Sequence, residues 1–489
     1  MKTIQECLPG RFADLPEKVL QFGEGNFLRA FADWMIELSN RRGELNGSVV
    51  LCQPLARGAG GVLNAQNCRY TVVMRGLEGG EGVERVEQIS SVSRCINPYE
   101  DYDALMEIAR SEELRCVISN TTEAGIAYRA GDAPDDRPPQ SYPAKLCAFL
   151  YERFSFFHGA GDRGLLILPV ELIDDNGRCL RRIVLQYARE WALGERFERW
   201  LEESCCFAST LVDRIVTGYP AEQIEQLWGR LGYEDRALVT CELFNLWVIE
   251  ADAKWKDVFP VGGGEANVVW TDDAAPYKKR KVRILNGAHT ATAPAAWLAG
   301  HEFVRDFMED ARFEGYMNRM LEREVVPTLT DLPKEELLGF VRSVNDRFRN
   351  PFIRHRLLDI SLNSCAKYRA RCLPSLLAFQ EQFKSPPPRL TFALAAFMRF
   401  YRGTWRDGAF CGAREDGQAY EIRDDREVLD FMAEAWKSGD AASVCRATLG
   451  NAALWGGRDL TLVPGLVDAA AQHLDRILKT GVRAAMQGL

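Results

Sequence analysis

The sequence predicts an α/β fold in which a doubly wound parallel sheet is followed by a mostly helical domain. Two observations lead to this prediction. In the first half of the chain, short apolar runs rich in β-branched residues alternate with helical patterns, which is the order that builds a parallel sheet. In the second half, helical periodicity continues and strand patterns almost vanish. The 489 residues exceed what one hydrophobic core usually holds, so two large domains are expected.

The first elements follow one another as strand, helix and strand. KVLQF (18–22) is a β-rich run, FLRAFADWMIEL (27–38) has the spacing of an amphipathic helix, and SVVLCQ (48–53) is a second apolar run. This order is the opening of a doubly wound sheet and indicates a nucleotide-binding domain. Later runs that fit the same sheet are RCVIS (115–119) and GLLILPV (164–170), and YTVVM (70–74) is a predicted strand of unassigned position.

The domain boundary is predicted after VVW (268–270), where TDDAAPY supplies turn and cap residues before helical periodicity begins. This divides the chain into domains 1–275 and 276–489, with a cleft expected where they meet. The segment 130–143 is rich in proline and acid, and we interpret it as a surface loop that packs little. Later helical patterns span 303–326, 334–348, 353–383, 391–403 and 467–486.

Charge and composition exclude several classes of function. The net charge of -8 leaves no basic footprint, so neither a nucleic acid nor an anionic membrane is expected as a partner. No run of 18 apolar residues and no secretory signal pattern occurs, so we expect a cytoplasmic protein. The fourteen cysteines contain no CxxC and are expected to be reduced. Five histidines without a local ligand spacing give no indication of a metal site.

A glycine turn follows the first predicted strand. In FGEGNFLRAF (22–31), Gly23 and Gly25 have the GxG spacing that lets backbone approach a pyrophosphate, although Leu28 replaces a third glycine. GxG is also common in turns that bind nothing. The candidate cofactor residues here are Phe22, Gly23, Gly25, Asn26 and Phe27.

Two other strand ends supply further cofactor candidates. The second strand ends at Gln53, where NAD enzymes usually place an acid for the ribose; Gln53 can bond a ribose hydroxyl, while Arg57 nearby would favour a 2'-phosphate. After RCVIS, the segment SNTTEAGI (119–126) places Thr121, Thr122 and Glu123 at a strand's carboxyl end. The alternative for the threonines is capping of a helix.

KVRILNGAHT (281–290) carries three polar side chains among apolar neighbours. On an α-helix, Lys281, Asn286 and His289 lie within an arc of about 140°, so they can face one cleft. Each alone is ordinary, but together they suit the transfer of a hydride at a carbinol carbon. A desolvated lysine can act as the base, an amide can stabilise the oxygen, and a histidine can orient the substrate.

The chain resembles the mannitol dehydrogenase family of polyol-specific long-chain dehydrogenases. The resemblance extends from about Lys18 to about Trp405, and the K-x4-N-x2-H spacing of KVRILNGAH is specific to the family. SNTTEAGI and ELIDDNG (171–177) point within it to a branch acting on hexuronates. Other strings that carry the resemblance are FGEGNFLRAF, YPAKL (142–146), STLVDRIVTGYP (209–220) and the segment 347–375.

The resemblance implies a Rossmann-type N-terminal domain, a helical C-terminal domain and zinc-independent oxidoreduction with NAD. The implied substrate pair is a small hexuronate and its aldonate, D-tagaturonate and D-altronate. Lys281 matches the general acid/base, Asn286 part of the oxyanion site and His289 a substrate-orienting residue. Lys367 matches a substrate-contacting lysine and Asp213 an acid near the active site, while Gly23, Gly25 and Phe27 would hold the pyrophosphate.

Two departures argue against mannitol itself. Leu172 stands where the mannitol-active members carry an asparagine, and Asp359 replaces an arginine. A carboxylate substrate needs other cations, and the candidates are Lys145, Arg369 and Arg371. The alternatives are activity on fructuronate or on mannitol and, in a different class, a catalytically silent nucleotide-binding protein, which the intact Lys, Asn and His disfavour. The sequence does not fix the oligomeric state.

Overall fold

The computed structural model describes residues 1–8, 10–122 and 124–489. The chain forms two compact units. The first unit comprises Met1–Arg75 and Gly82–Ala274, and the second comprises Gly76–Glu81 and Ala275–Leu489.

A six-stranded sheet is the centre of the first unit, and its paired strands are all parallel. Numbered along the chain, the strands lie in the order 3-2-1-4-5-6, the arrangement of dinucleotide-binding domains with a crevice where the order reverses. The strands are Glu17–Phe22, Ser48–Cys52, Val92–Ile96, Cys116–Ser119, Leu166–Pro169 and Cys206–Phe207.

Both faces of this sheet are covered, which explains why its strands read as continuous apolar runs. Successive residues alternate between two cores: Val19 and Val49 belong to one, and Leu20 and Val50 to the other. All five residues of Ser48–Cys52 are buried. The helices of the first unit are Ile4–Cys7, Asn26–Arg29, Ala32–Arg41, Gly60–Ala65, Tyr102–Ala109, Tyr142–Phe156, Asn176–Glu190, Glu195–Glu203, Ile224–Leu231 and Trp255–Val258, with 3-10 turns at Gly161–Arg163 and Ala221–Gln223.

The predicted strand YTVVM lies in a different sheet from the parallel one. It is part of Tyr70–Glu78, which pairs in parallel with Val239–Cys241. The remaining strands are Glu81–Ile89 and Val216–Gly218 in the same four-stranded sheet, Ser209–Asp213, Leu246–Glu250 and Val268–Thr271 in a three-stranded sheet, and Lys2–Thr3 with Tyr233–Glu234 in a two-stranded one.

The segment 130–143 packs more tightly than the sequence suggested. Asp132 is 8% exposed and accepts hydrogen bonds from the backbone N–H of Gln140 and from the backbone N–H and hydroxyl of Ser141. The indole of Trp191 donates to the Asp132 carbonyl oxygen. A proline-rich, acidic composition did not reveal that one of the acids turns inward and organises the loop.

The second unit is built around the almost fully buried helix Gly287–Leu298. Pro388–Phe400 packs against this helix, and Leu466–Thr480 packs against Pro388–Phe400 in turn. A three-stranded sheet, Gly403–Arg406, Ala409–Ala413 and Ala419–Glu421, lies within the C-terminal part. The other helical segments are Ala275–Arg280, Lys281–Asn286, Val304–Glu309, Ala311–Met320, Leu321–Val325, Val326–Thr328, Lys334–Phe348, Leu357–Ile360, Ser364–Arg371, Leu373–Phe383, Arg426–Ala435, Trp436–Ser438, Ala441–Gly450, Leu460–Leu462 and Val482–Ala485.

All fourteen cysteines carry free thiols, and most of them are buried. Among the residues that the structure describes, no helix combines the length and the apolar character needed to cross a membrane.

Candidate active site

The glycine turn joins the ends of neighbouring strands at the reversal of the strand order. The backbone N–H of Gly23 donates to the carbonyl oxygen of Cys52 at 2.9 Å, and the N–H of Asn120 donates to that of Phe22 at 3.0 Å. Gly23 has φ of +123°, and a Cβ there would lie 2.8 Å from the backbone oxygen of Asn120. Only glycine fits this conformation and this approach.

The rest of the turn separates residues that face outward from residues that build the core. Gly25 and Asn26 are exposed, and a Cβ on Gly25 would meet nothing within 4 Å. Phe27 is partly buried and stacks on Phe31 with ring centroids 5.0 Å apart. Leu28, at the position of the missing third glycine, is 1% exposed and packs into the core.

The side chain of Phe22 is turned into the core, so a contact of this predicted cofactor residue would use its backbone. It is fully buried, belongs to the core on one face of the sheet and packs against Tyr142 with ring centroids 5.1 Å apart. The strand alternation that buries Leu20 also buries Phe22. Its contribution to the turn is its backbone carbonyl.

Gln53 is occupied within its own loop. Its Oε1 accepts from the N–H of Gly60 at 3.0 Å, and its Nε2 donates to the carbonyl oxygen of Leu55 at 3.3 Å. With 5% exposure, its side chain shapes the loop after the second strand. A ribose hydroxyl would have to compete with these bonds.

Glu171 organises the loop that contains the threonine candidates, and sequence reasoning missed it. Its carboxylate accepts from the N–H and the hydroxyl of Thr121, both at 3.0 Å, and from the hydroxyl of Ser119 at 3.1 Å. Burial raises the pKa of this carboxyl above its ordinary value. An acid directly after the apolar run LLILPV was the available signal.

The threonines do not cap a helix, because the next helix in the described chain after Ser119 begins only at Tyr142. Thr122 has φ of +78°, a conformation that β-branched residues rarely adopt and that costs about 1–3 kcal/mol. Such strain is typical of loops that hold a ligand. Glu123, also predicted to contact the cofactor, lies outside the described residues.

A buried acid, Asp33, is linked to the glycine turn through Gln21. Gln21 donates through Nε2 to the carbonyl oxygen of Gly23 at 3.0 Å and to Asp33 Oδ2 at 3.4 Å. Tyr70 donates through its hydroxyl to the same Oδ2 at 2.7 Å. Burial raises the pKa of Asp33 to about 7, although the hydrogen bonds from Tyr70 and Gln21 oppose that shift.

We expect Asp33 to make the folded state less stable as the pH rises from about 4 to about 7. The folded state holds the proton up to pH of about 7, whereas an unfolded aspartate releases it near pH of about 4. The stability is therefore fully present below that window and is lost across it. Thermal unfolding at pH 5 and pH 8 should show a smaller loss for Asp33→Asn, which cannot ionise, than for the unchanged protein. Equal losses in the two proteins would show that Asp33 ionises normally.

Lys281, Asn286 and His289 lie on one helical stretch, but its backbone is not uniformly α-helical. Residues Lys281–Asn286 form a π-helical turn between the α-helices Ala275–Arg280 and Gly287–Leu298. A π turn closes between residues i and i+5, so Lys281 and Asn286 lie about one turn apart rather than 140° apart as on an α-helix. Asn286 and His289, three apart at the start of the following α-helix, are neighbours on its surface. The π turn therefore aligns the three side chains better than the α-helix assumed from the sequence.

His289 lies in an aromatic pocket of the second unit. Its ring stacks on Phe348 with centroids 4.0 Å apart and meets the ring of His355 edge-on at 4.9 Å. Its Nε2 is buried without a hydrogen-bond partner in the described structure. Burial is the main reason why the pKa of His289 lies well below its ordinary value, so the ring is neutral. Further lowering comes from His355 and from three cationic side chains: Arg347, Arg371 and Lys367.

A second helix of the same unit brings cations to this pocket. In Ser364–Arg371, Arg371 donates through Nη1 to the hydroxyl of Thr290, the residue after His289, at 3.2 Å. Lys367 donates through Nζ to the carbonyl oxygen of Ile360 at 2.9 Å. Burial, aided by Arg371, lowers the pKa of Lys367.

The remaining predicted substrate residues have different surroundings. Asp213 ends the strand Ser209–Asp213 in the first unit and is 5% exposed. Lys145 is completely buried in the first unit, where its Nζ donates to the carbonyl oxygen of Gln140 at 2.7 Å. Burial lowers its pKa to about 8. Arg369 is exposed on the same helix as Lys367. Lys145 is thus a buried cation of the first unit, whereas Lys367 and Arg371 belong to the second.

The two positions that depart from the mannitol-active pattern are both on the surface. Leu172 is 65% exposed and directly follows Glu171. Asp359 is largely exposed, and its Oδ1 lies 3.7 Å from Nη2 of Arg423. The described residues include no group of three or more His, Cys, Asp or Glu side chains arranged to hold a metal ion.

Two family models together match most of the chain. The mannitol dehydrogenase Rossmann domain matches residues 17–258, and the mannitol dehydrogenase C-terminal domain matches residues 273–478. Among curated proteins, altronate oxidoreductase of Klebsiella pneumoniae (strain 342) is 46% identical over 496 residues, with all of both chains covered. Altronate oxidoreductase of Escherichia coli O7:K1 (strain IAI39 / ExPEC) is 45% identical over 496 residues, again with complete coverage.

Two solved structures share the fold over almost the whole chain. The substrate-free form of a D-sorbitol dehydrogenase superposes with a TM-score of 0.79 at 21% identity, covering 99% of this chain and 100% of that one. The ternary complex of Pseudomonas fluorescens mannitol 2-dehydrogenase with NAD and D-mannitol superposes with a TM-score of 0.62 at 23% identity, covering 97% of this chain and 94% of that one. The predicted fold class, a Rossmann-type domain followed by a mostly helical one, is confirmed.

Proposed function

The chain belongs to the mannitol dehydrogenase family, and on that basis we propose that it is an NAD-dependent oxidoreductase interconverting D-tagaturonate and D-altronate. The observation that carries the substrate assignment is the 46% identity, over all of both chains, to a protein named altronate oxidoreductase. The π turn that aligns Lys281 with Asn286 supports the chemistry.

The first unit fits a dinucleotide. Its strand order reverses beside the Gly23 turn, where the backbone approaches closely and where the exposed Gly25 leaves room for a pyrophosphate. We assign binding of the pyrophosphate to Gly23, Gly25 and Asn26. Further contacts with the cofactor are assigned to Phe27, Thr121 and Thr122. We assign cofactor binding to residues 1–275 and proton chemistry to residues 276–489. Bound NAD supplies the hydride acceptor in the oxidation of altronate.

Lys281 is assigned the proton of the reacting oxygen. During oxidation, its amine accepts the hydroxyl proton as the carbinol carbon gives up a hydride. During reduction, its ammonium donates that proton to the ketone oxygen. This role requires no metal ion, because the lysine charge itself stabilises the oxygen.

Asn286 and His289 are assigned to positioning. The Asn286 amide can donate to the same oxygen from one turn away, since the π turn places it beside Lys281. A neutral His289 has one donor and one acceptor nitrogen, and we assign its Nε2, which is buried without a hydrogen-bond partner in the described structure, to a substrate hydroxyl. Phe348 fixes the plane of the ring by stacking. Lys367 and Asp213 are proposed as further substrate contacts.

We also place the protein in the cytoplasm. The fourteen free thiols support this assignment, because such a number persists without pairing in a reducing compartment.

The proposal is tested with one spectrophotometric panel. Oxidation of NADH and of NADPH is followed at 340 nm with tagaturonate, fructuronate and fructose. We expect the highest kcat/KM with NADH and tagaturonate, by roughly 100-fold over fructose, since a site built for a polar group rejects the substrate that lacks it. A preference for fructuronate would assign the chain to that substrate. NADH binding without turnover of any of the three would indicate a silent nucleotide-binding protein.

A further inference from the structure

We propose that Arg371 binds the carboxylate of the substrate and so makes the site specific for sugar acids over neutral polyols. This inference rests on the proposed function and extends it to the group that distinguishes an aldonate from a polyol. It assigns to the second unit a carboxylate subsite beside the proton-handling residues.

Arg371 lies next to the helix Gly287–Leu298, which contains His289. Its Nη1 donates to the hydroxyl of Thr290, which is 3% exposed and adjacent to His289. The backbone oxygen of Arg371 lies 3.5 Å from the position of a Cβ on Gly287, and the thiol of Cys372 donates to the Gly287 carbonyl at 3.5 Å. These contacts hold the backbone of Arg371 against Gly287 and its guanidinium beside the residue that follows His289.

Arg371 has no acidic partner among the residues that the structure describes. Its guanidinium donates to the hydroxyl of the neutral Thr290. Burial lowers its pKa, and Cys372 opposes the shift. An arginine in a protein stays charged, and a partly buried charge normally has a counterion. Arg371 therefore lacks a counterion, and an anionic ligand can supply one.

The surroundings of Arg371 add positive charge. Lys367, one turn earlier on the same helix, lowers the pKa of His289 together with Arg371, which places both charges near that ring. Arg283, on the π turn, donates to the hydroxyl of Ser375 at 3.4 Å and has no acidic partner in the described structure either. Asp424 offsets part of the charge of Lys367. Beside His289 the charges of Lys367 and Arg371 thus add up, whereas Asp359 acts on His355 in the same pocket.

Arg371 fits this role better than the other two candidates. Lys145 is fully buried and bonded to Gln140 in the first unit. Arg369 is exposed, two residues from Arg371 on the same helix, and its side chain lies 3.5 Å from the position of a Cβ on Gly456. Two residues apart on a helix means that Arg369 and Arg371 point in clearly different directions.

The test compares Arg371→Ala with the unchanged enzyme on tagaturonate and on a neutral ketohexose. We expect the KM for tagaturonate to rise at least about 30-fold, because a charge pair is lost from a partly buried site. The KM for NADH and the kcat/KM for the ketohexose should change less than about threefold. Added guanidinium ion should restore part of the tagaturonate activity, and Arg371→Lys should lie between the two enzymes, since its ammonium keeps the charge without the planar fork.

Three results would overturn the inference while the proposed function stands: an unchanged KM for tagaturonate in Arg371→Ala, an equal loss with the neutral ketohexose, or a large rise in KM in Arg369→Ala instead. Arg446→Ala, an exposed arginine of the helix Ala441–Gly450, is the matched control and should behave as the unchanged enzyme. If the unchanged enzyme fails to reduce tagaturonate, the proposed function fails first, so the two failures are distinguishable.

Discussion

Replacing Lys281 with alanine is expected to lower kcat by roughly 100- to 10,000-fold, the range that general acid/base groups contribute. The proton of the reacting oxygen then has no positioned acceptor or donor, whereas the glycine turn in the first unit is untouched. Stopped-flow and steady-state assays at 340 nm give kcat, and quenching of tryptophan fluorescence gives the Kd of NADH. The Kd should stay within about twofold of the unchanged enzyme.

The control for this variant is Lys279→Ala on the same helical stretch. Lys279 forms an ion pair with Asp331 at 2.7 Å, and both side chains are substantially exposed. Such a surface pair contributes about 0–1 kcal/mol, so its loss should leave kcat unchanged. If Lys281→Ala turned over tagaturonate as fast as Lys279→Ala, another group would have to move the proton. A circular dichroism spectrum that matches that of the unchanged enzyme would show that the variant keeps its overall fold.

The family and the fold class predicted from the sequence are confirmed. The apolar runs and their alternation with helices were sufficient, because a sheet covered on both faces leaves a strong pattern. KEELLGFVRSVNDRF is helical over the complete predicted range, Lys334–Phe348. FLRAFADWMIEL, by contrast, breaks between Arg29 and Ala32, since the residues after a glycine turn follow the turn before the helix proper begins.

The π turn could not be predicted from helical periodicity. Propensity and spacing describe α-helices, and a π turn differs by one extra residue that packing must accommodate. KVRILN contains no glycine or proline that would mark the change. The angular arc deduced for Lys281 and Asn286 was therefore wrong in detail, although the two residues and His289 do share one helical stretch.

The residues that support the glycine turn and the threonine loop were also not predicted from the sequence. Asp33 and Glu171 are acids within buried surroundings, and only the folded chain shows that Asp33 receives bonds from Gln21 and Tyr70. The sequence places these residues far apart, so their hydrogen bonds carry no local signal. Residues that contact a ligand at strand ends are easier to predict than the residues that hold them, because strand ends follow from the pattern of the sheet.

Gly23→Ala is expected to weaken NADH binding by at least about tenfold and to lower the melting temperature by several degrees. The φ of +123° at Gly23 lies outside the left-handed region that other residues occupy, and such strain costs about 1–3 kcal/mol. The new methyl would also lie 2.8 Å from the backbone oxygen of Asn120, so the turn must move away from the neighbouring strand. Fluorescence titration with NADH and thermal unfolding measure the two effects.

Gly43→Ala separates the strain from the displacement of the turn. Gly43 has φ of +72°, close to the left-handed region, and a Cβ there would meet nothing within 4 Å. Its replacement by alanine should lower the free energy of unfolding by about 1 kcal/mol through backbone strain alone. NADH binding should stay unchanged. Because the two glycines differ in the approach of a neighbouring backbone, a lower NADH affinity in Gly23→Ala alone would tie cofactor binding to the shape of the turn. Equal NADH affinities in both variants would instead mean that the turn is a structural corner and that the cofactor is held elsewhere.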